Sequence, residues 1–262
     1  MKTTQPQIDS MIRLYTIEKR STSDIGKELN LSGVTVQFYL KKAGIQLSHQ
    51  KYKFNEHYFN KIDTPNKAYF LGLIYADGCV YPKKNSCAIK LTKEDDYILE
   101  EFKKDIDSQK PLQYTKSKPI VGTKYIGKAQ SKLELNSKIL IDDLISLGVV
   151  QNKSLILKFP QNIPFIKDFI RGYFDGDGCI YNSQNRIMLN FVGSEDFCKG
   201  LCNFLESELD IKVTPKQDKR GNSWYIYVVR IKDVIKFCEY IYSDKDCIKL
   251  NRKYEKFTKY MG

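Results

Sequence analysis

The sequence predicts an α+β fold in which two copies of an αββαββα unit, related by a pseudo-twofold axis, follow a small all-α module. The ten residues GLIYADGCVY at 72–81 recur as GYFDGDGCIY at 172–181. Helix-like and strand-like patterns follow in the same order after both copies, which indicates an internal duplication. The first part of the chain shows only helical periodicity. We expect a helical module at 1–46, a linker or strapping segment at 47–64, and repeats at 65–160 and 161–262.

The composition points to a polyanionic partner. The chain has 262 residues, a net charge of +12 and a pI of about 9.2, and such an excess of Lys and Arg favours binding to phosphates. No apolar run is long enough to span a membrane, and the first ten residues contain no apolar signal segment. We therefore expect a protein of the cytoplasm, associated with the nucleoid, or of an organellar matrix, without membrane association and not secreted.

Cysteine and histidine usage argues against a disulfide framework or a zinc site. The chain has seven cysteines, an odd number, and two histidines, and it contains no CxxC pair. We expect the thiols to be reduced and buried.

Three short helices are predicted in the amino-terminal module. In the first, Ile8, Met11, Ile12 and Tyr15 share one face. The second begins with capping residues in the stretch STSDIGKELN, and Ser32 is a candidate cap for the third.

These three helices resemble a helix-turn-helix of the homeodomain-like kind, with a plain helical module as the alternative. Val36 and Leu40 of the third helix would face the core, which leaves Gln37 and Lys41 outward for the major groove. Gln37 is the more informative of the two because glutamine can pair bidentately with adenine.

Each repeat is expected to open with a helix that starts at a proline, TPNKAYFLGLIYADG or IPFIKDFIRGYFDGDG, and stops at Asp-Gly. We expect the glycine to supply a left-handed helix cap. Two strand-like runs follow, then an amphipathic helix, a second hairpin and a last helix, SKILIDDLISLGV or KDVIKFCEYIYS.

Small residues recur four apart on the two repeated helices. Gly72 and Ala76 match Gly172 and Gly176. Such spacing leaves one stripe of the helix surface without large side chains, so that two helices can approach backbone to backbone. We expect the two helices to pack side by side and parallel.

Parallel packing would bring Asp77 and Asp177 together at the carboxyl-terminal ends of the helices. Each carboxylate would lie at the negative end of its helix dipole and repel the other. A divalent cation such as Mg²⁺ would offset this cost, and metal ions of this kind stabilise the attacking and leaving oxygens in phosphodiester cleavage. The alternative is that Asp-Gly is only a helix stop in an old duplication.

The stretches FLGLIYADG and IRGYFDGDG resemble the two signature helices of the LAGLIDADG homing endonucleases in their single-chain, two-repeat form. The resemblance covers residues from about 54 to 262. It implies antiparallel sheets that form a saddle over the DNA major groove. It also implies that Asp77 and Asp177, helped by the main-chain carbonyls of Ala76 and Gly176, bind Mg²⁺, with Mn²⁺ as an alternative.

The match departs from the family pattern at the first acidic position of the motif, which is Tyr75 in one copy and Asp175 in the other. That position is not the usual metal ligand, so the change does not imply loss of activity.

The resemblance further implies a basic residue near each metal and a polar side chain that positions water. Lys153 and Lys253 are the basic candidates, one hundred residues apart like the two aspartates. At the end of the second strand the first copy has Lys93, whereas the second has Gly193 followed by Ser194. This difference suggests that the two strands are cut at different rates.

Polar and basic residues in the strand regions are candidates for contact with DNA, since one face of each sheet would bury apolar residues and leave the other to read a groove. Phosphate contacts should dominate the affinity. The candidates are Lys83, Lys84, Asn85, Lys90, Lys116, Lys118, Lys124, Lys128, Arg186, Asn190, Lys216, Lys219 and Arg220.

The function implied is a site-specific, metal-dependent endonuclease that makes a double-strand break in a long, asymmetric DNA site. Such enzymes are encoded within introns or other mobile elements, and one chain with both repeats is expected to act as a monomer. The alternative is a catalytically silent relative that acts as an intron RNA maturase or a DNA-binding regulator. Loss of either motif aspartate would favour it, but both are present.

Overall fold

The computed structural model forms two compact units, Met1–Lys53 and Phe54–Gly262. It describes residues 3–18, 20–45, 47, 52–119, 121–122, 124–183, 186–219 and 221–258. Within these ranges no helix is both long and apolar enough to cross a membrane. The domain boundaries given above remain predictions.

The first unit contains the three predicted helices, α1 (Gln5–Thr16), α2 (Thr22–Glu28) and α3 (Gly33–Lys42). Ser21 and Ser32 cap α2 and α3, since their hydroxyl oxygens accept the amides of Asp24 (3.1 Å) and Thr35 (3.0 Å). The unit has its own core, made of Met11, Leu14, Ile25, Val36 and Leu40. On α1 the second buried position is Leu14 rather than Ile12 or Tyr15, which pack at the edge of this core.

The second unit has the predicted order of elements twice. The first repeat consists of α4 (Pro65–Asp77), β1 (Gly78–Tyr81), β2 (Ser86–Thr92), α5 (Asp96–Asp105), β3 (Gln113–Thr115), β4 (Lys118–Pro119), β5 (Ile126–Gly127), β6 (Gln130–Asn136) and α6 (Lys138–Ser146). The second consists of α7 (Ile166–Asp177), β7 (Gly178–Ser183), β8 (Arg186–Gly193), α8 (Glu195–Leu209), β9 (Lys216–Gln217), β10 (Trp224–Val228), α9 (Ile231–Ile241) and α10 (Asn251–Thr258). The short β4–β5 ribbon and α10 are additions to the predicted pattern.

The two sheets have equivalent antiparallel topologies, β1-β2-β6-β3 and β7-β8-β10-β9. Gly78 pairs with Ile89 in the first and Gly178 with Phe191 in the second, so that each sheet begins directly after a motif aspartate. One face of each sheet packs on the helices, as the buried Ile89 and Leu189 show. The opposite face carries the polar and aromatic side chains discussed below, among them Lys90 and Tyr227.

Two expectations about helix ends were wrong. Pro164 does not start the second motif helix: α7 begins at Ile166, after Phe165 adopts a left-handed conformation with φ 57°. The glycines after the motif aspartates are extended rather than left-handed, with φ −76° at Gly78 and −84° at Gly178. They are required for space instead, because a Cβ at Gly78 would lie 2.6 Å from the carbonyl oxygen of Ile74.

Candidate active site

Helices α4 and α7 lie against each other at their glycines. A Cβ placed on Gly72 would lie 2.0 Å from the carbonyl oxygen of Phe169, and one placed on Gly172 would lie 1.9 Å from that of Tyr69. One turn further on, a Cβ on Gly176 would lie 2.2 Å from the Cβ of Ala76. The contacts advance in the same direction along both helices. The packing is therefore parallel, and the predicted stripe of small residues is confirmed.

The parallel packing brings the two motif aspartates together. Oδ2 of Asp77 lies 3.1 Å from the position that a Cβ on Gly176 would occupy, next to Asp177. Burial raises the pKa of the Asp77 carboxyl. Burial first, and the charge of Asp77 second, raise the pKa of Asp177 to about 6. Two partly buried carboxylates that repel each other form an arrangement that a cation would relieve.

Lys153 and Lys253 contact matching main-chain oxygens. The ammonium of Lys153 donates to the carbonyl of Gly78, and that of Lys253 donates to the carbonyl of Gly178 at 2.5 Å. Lys253 also donates to the carbonyls of Phe174 (2.6 Å) and Asp175 (2.7 Å). Because an ammonium has three donors, Lys253 in this position serves as a carboxyl-terminal cap of α7. Burial lowers the pKa of Lys153, and it lowers that of Lys253 to about 8.

Of the two lysines, the one from the other repeat has the larger effect on each motif aspartate. Among neighbouring charges, Lys253 lowers the pKa of Asp77 the most, whereas for Asp177 the largest such effect is that of Lys153. The two aspartates and the two lysines therefore interact with one another across the repeats.

Two charged residues that were not predicted also act on Asp77, namely Arg252 and Asp95. Nε of Arg252 lies 2.9 Å from Oδ2 of Asp95, which is buried. Arg252 could have been noticed as the neighbour of Lys253. No local pattern marks Asp95, which is distant from both motifs in the sequence.

Comparison with known proteins finds one family model and several solved structures that resemble this chain. Residues 164–242, which lie in the second repeat, match the model of the LAGLIDADG-like domain. Its fold is similar to that of the homing endonuclease I-WcaI bound to its DNA recognition sequence, with a TM-score of 0.56, 15% identity, and coverage of 83% of this chain and 96% of that chain. The meganuclease I-SmaMI, bound to uncleaveable DNA, has a TM-score of 0.50, 13% identity, and coverage of 76% and 87%.

A relative by sequence is the uncharacterized protein MJ0314 of Methanocaldococcus jannaschii. It is 23% identical over 171 residues, which are 61% of this chain and 60% of that protein. The match spans less than two thirds of the length of MJ0314.

The two motif aspartates suit a divalent cation whose other ligands are waters and substrate oxygens. The described residues contain no group of three or more His, Cys, Asp or Glu side chains able to hold a metal. Mg²⁺ needs only one or two carboxylates when waters and substrate phosphates complete its shell. Of the two carbonyls expected to help, that of Gly176 already accepts a long hydrogen bond, 3.4 Å, from Lys253. The carboxylates of Asp77 and Asp177 are therefore the principal ligands that this site offers to a cation.

The residues that follow the second strand of each repeat, Lys93 and Ser194, have contacts of their own. Lys93 begins the turn Lys93–Asp95 directly after β2. Its ammonium lies 5.8 Å from the ring centroid of Tyr114. In the second repeat, Ser194 is buried and its hydroxyl caps α8, accepting the amide of Phe197 at 3.1 Å. The role of Lys93 in positioning water, and different cutting rates for the two strands, stay predictions.

The predicted DNA-contact residues of the first repeat are mostly exposed. Lys83, Lys84 and Asn85 form the β1–β2 turn, and Lys90 lies on the open face of β2. Lys128 pairs with Glu94 at 3.4 Å. The other exposed members of this set, around β3 to β5, are Lys116, Lys118 and Lys124.

The residues predicted to contact DNA in the second repeat and in the first unit differ in their exposure to solvent. Lys216 and Lys219 are exposed, but Asn190 is buried to 6% exposure. Arg186 pairs with Ser183 through the backbone, and its side chain and Arg220 lie outside the described residues. In the first unit Lys41 is exposed, and Gln37 donates to the hydroxyl of Thr22 at 3.3 Å.

Aromatic side chains on the open face of the second sheet were not predicted. Tyr225 and Tyr227 of β10 stack with ring centroids 6.0 Å apart, and they line a concave surface together with Tyr181 and Lys216. Tyr181 ends the repeated phrase, as Tyr81 does in the first copy, and both are 39% exposed. Their place in the repeat is the signal that could have found these two.

Proposed function

We propose that the chain is a site-specific endonuclease that hydrolyses phosphodiester bonds on both strands of double-stranded DNA with Mg²⁺, or Mn²⁺, held by Asp77 and Asp177. The observation that carries the proposal is the convergence of these two carboxylates at the ends of parallel, closely packed helices. The repulsion between them has no structural benefit, which favours a role in binding a cation. The DNA-bound relatives I-WcaI and I-SmaMI support a DNA substrate.

The bound cation and the residues around the aspartates have different roles. A bound divalent cation supplies stabilisation of the negative charge that develops on the attacking and leaving oxygens. Lys153 and Lys253 hold the carbonyls at the ends of α4 and α7 and so keep the aspartates in place. Their positive charges also favour the ionised form of the aspartates that binds a cation.

DNA would lie across the open faces of the two sheets. The exposed lysines of the β1–β2 turn and of β9 supply phosphate contacts. Base edges would be read by side chains on the open faces, such as Lys90 and the stacked tyrosines of β10. The three-helix unit would add major-groove contacts at one flank through Lys41 and its exposed neighbours Val34 and Phe38.

The proposal is tested with Asp77→Asn and Asp177→Asn. Each variant should lose cleavage of a target plasmid in Mg²⁺ while its affinity for the target, measured by gel shift, stays close to that of the wild type. Asp210→Asn is the matched control, because Asp210 is an exposed aspartate in a left-handed position that asparagine also tolerates. DNA that flanks the reading frame supplies candidate targets.

Undiminished cutting by the variant with both substitutions would refute the metal assignment. Specific binding without any cleavage by the wild type, across a range of Mg²⁺ and Mn²⁺ concentrations, would instead favour the silent regulator. Preferred binding to intron RNA would favour the maturase.

A further inference from the structure

The chain segment directly before α10 is held by a tyrosine of the first repeat. The hydroxyl of Tyr97, on α5, donates to the carbonyl of Lys249 at 3.1 Å and accepts the amide of Asn251 at 2.7 Å. One side chain therefore fixes the backbone on both sides of Leu250, which is fully buried. Tyr97 belongs to the first repeat and lies more than a hundred residues away in the sequence. The contact therefore links the first repeat to the second.

Leu250 itself is held by the motif helix of its own repeat. Its amide donates to Oδ2 of Asp175 at 2.8 Å. The same carboxylate accepts the hydroxyls of Tyr69 at 2.9 Å and Tyr242 at 3.4 Å, and Asp175 is 1% exposed. A carboxylate this deeply buried needs several donors, and here they include the amide before α10.

The segment held in this way carries Lys253. The carbonyl of Leu250 accepts the amide of Lys253 at 3.0 Å, which makes Lys253 part of the first turn of α10. From this turn the ammonium reaches the carbonyls of Asp175 and Gly178. The position of Lys253 therefore depends on where Leu250 is held.

The first repeat uses a different and simpler contact. Tyr75, which occupies the position of Asp175, donates its hydroxyl to the carbonyl of Leu147. Gly148 follows with φ +93°, and a Cβ there would lie 2.4 Å from that hydroxyl. Lys153 comes a few residues later and contacts neither Tyr97 nor Asp175 among the described hydrogen bonds. The placement of the two lysines can therefore be disturbed separately.

We propose that Tyr97 and Asp175 are positioning residues for Lys253, so that the centre containing this lysine is held by one side chain from each repeat and cuts one strand. The inference rests on the proposed endonuclease function. It assigns a role to the motif position where the two repeats differ, and it makes the two strand cuts separable by mutation.

The test measures cleavage of each strand of a double-labelled target duplex by the full-length protein in Mg²⁺ under single-turnover conditions. Tyr97→Phe removes only the hydroxyl, and Asp175→Asn removes the charge. For each variant we expect one and the same strand to be cut about 10-fold to 100-fold more slowly, with the other strand and the DNA affinity little changed. Tyr240→Phe is the control, since it removes a hydroxyl from a partly buried tyrosine that packs on Phe204 at the edge of the core.

The outcomes separate the possibilities. Equal slowing of both strands together with a lower thermal midpoint would mean a purely structural role and would overturn the inference, as would wild-type rates on both strands. Should Asp175→Asn fail to fold, Tyr97→Phe alone decides. Absence of cleavage by the wild type would contradict both the proposed function and this inference. Cleavage by the wild type, with no strand-selective effect of the two substitutions, would contradict the inference alone.

Discussion

Replacing Gly72 by alanine tests the close contact of α4 and α7, because two effects predict opposite signs for the change in the free energy of unfolding. Within a helix, alanine is more favourable than glycine by about 1 kcal/mol. The added Cβ would, however, lie 2.0 Å from the carbonyl oxygen of Phe169. A carbon and an oxygen need about 3.3 Å, so the helices must separate by about 1.3 Å at this point.

This separation should outweigh the gain in helix propensity. Overpacking in a well-packed core costs about 1–3 kcal/mol, and the upper end applies here because the clash is with backbone and not with a side chain that can rotate. We expect a net loss of about 2 kcal/mol in the free energy of unfolding. Cleavage should fall further, by about 100-fold, because the aspartates move apart by about an ångström.

The assay is urea denaturation of the purified protein, with Gly172→Ala as the symmetry-related variant. Gly221→Ala is the control, since nothing lies within 4 Å of a Cβ at that position, and it should be neutral or slightly stabilising. An increase in stability for Gly72→Ala would refute the close approach of the helices and, with it, the convergence of the aspartates.

Three further predictions follow. Folding raises the pKa of Asp177 from 3.8 to about 6, so the stability of the wild type should fall as the pH rises through that interval. Asp177→Asn should therefore be more stable than the wild type at pH 7.5, by up to about 3 kcal/mol, but not near pH 4. A variant as stable as the wild type at both pH values would contradict this prediction. Lys253→Met removes the donor that four carbonyls share, those of Phe174, Asp175, Gly176 and Gly178, and should cost about 1–3 kcal/mol or more in urea unfolding, unlike the exposed Lys256→Met. Deleting residues 1–46 should weaken target binding in gel shifts more than it slows cleavage of bound DNA; unchanged binding would count against the helix-turn-helix prediction.

Local patterns were sufficient to predict most of the elements and the two aspartates. The duplication, the order of helices and strands, and the small residues at Gly72 and Gly172 are all visible as spacings within a few residues or as one offset of a hundred. Helical and strand periodicities and the spacing of small residues express which face of an element is buried, and they are properties of the local chain.

Helix boundaries were less predictable where tertiary contacts decide them. Pro164 does not begin α7, and α10 was not predicted although Lys253 and Phe257 have helical spacing and are both buried. A segment of eight residues is too short to be stable as an isolated helix. Its helical state depends on the contacts of Leu250 with Asp175 and on the neighbouring core.

From the sequence alone we could predict the repeated architecture and the meeting of Asp77 with Asp177, because small residues recur at matching positions on both helices and allow their backbones to approach. Only the tertiary structure decided which lysine acts more strongly on which aspartate, and that Arg252 and Asp95 join them. Electrostatic interactions depend on distance and burial in space, and groups from both repeats reach the same pocket through contacts that no spacing along the chain records.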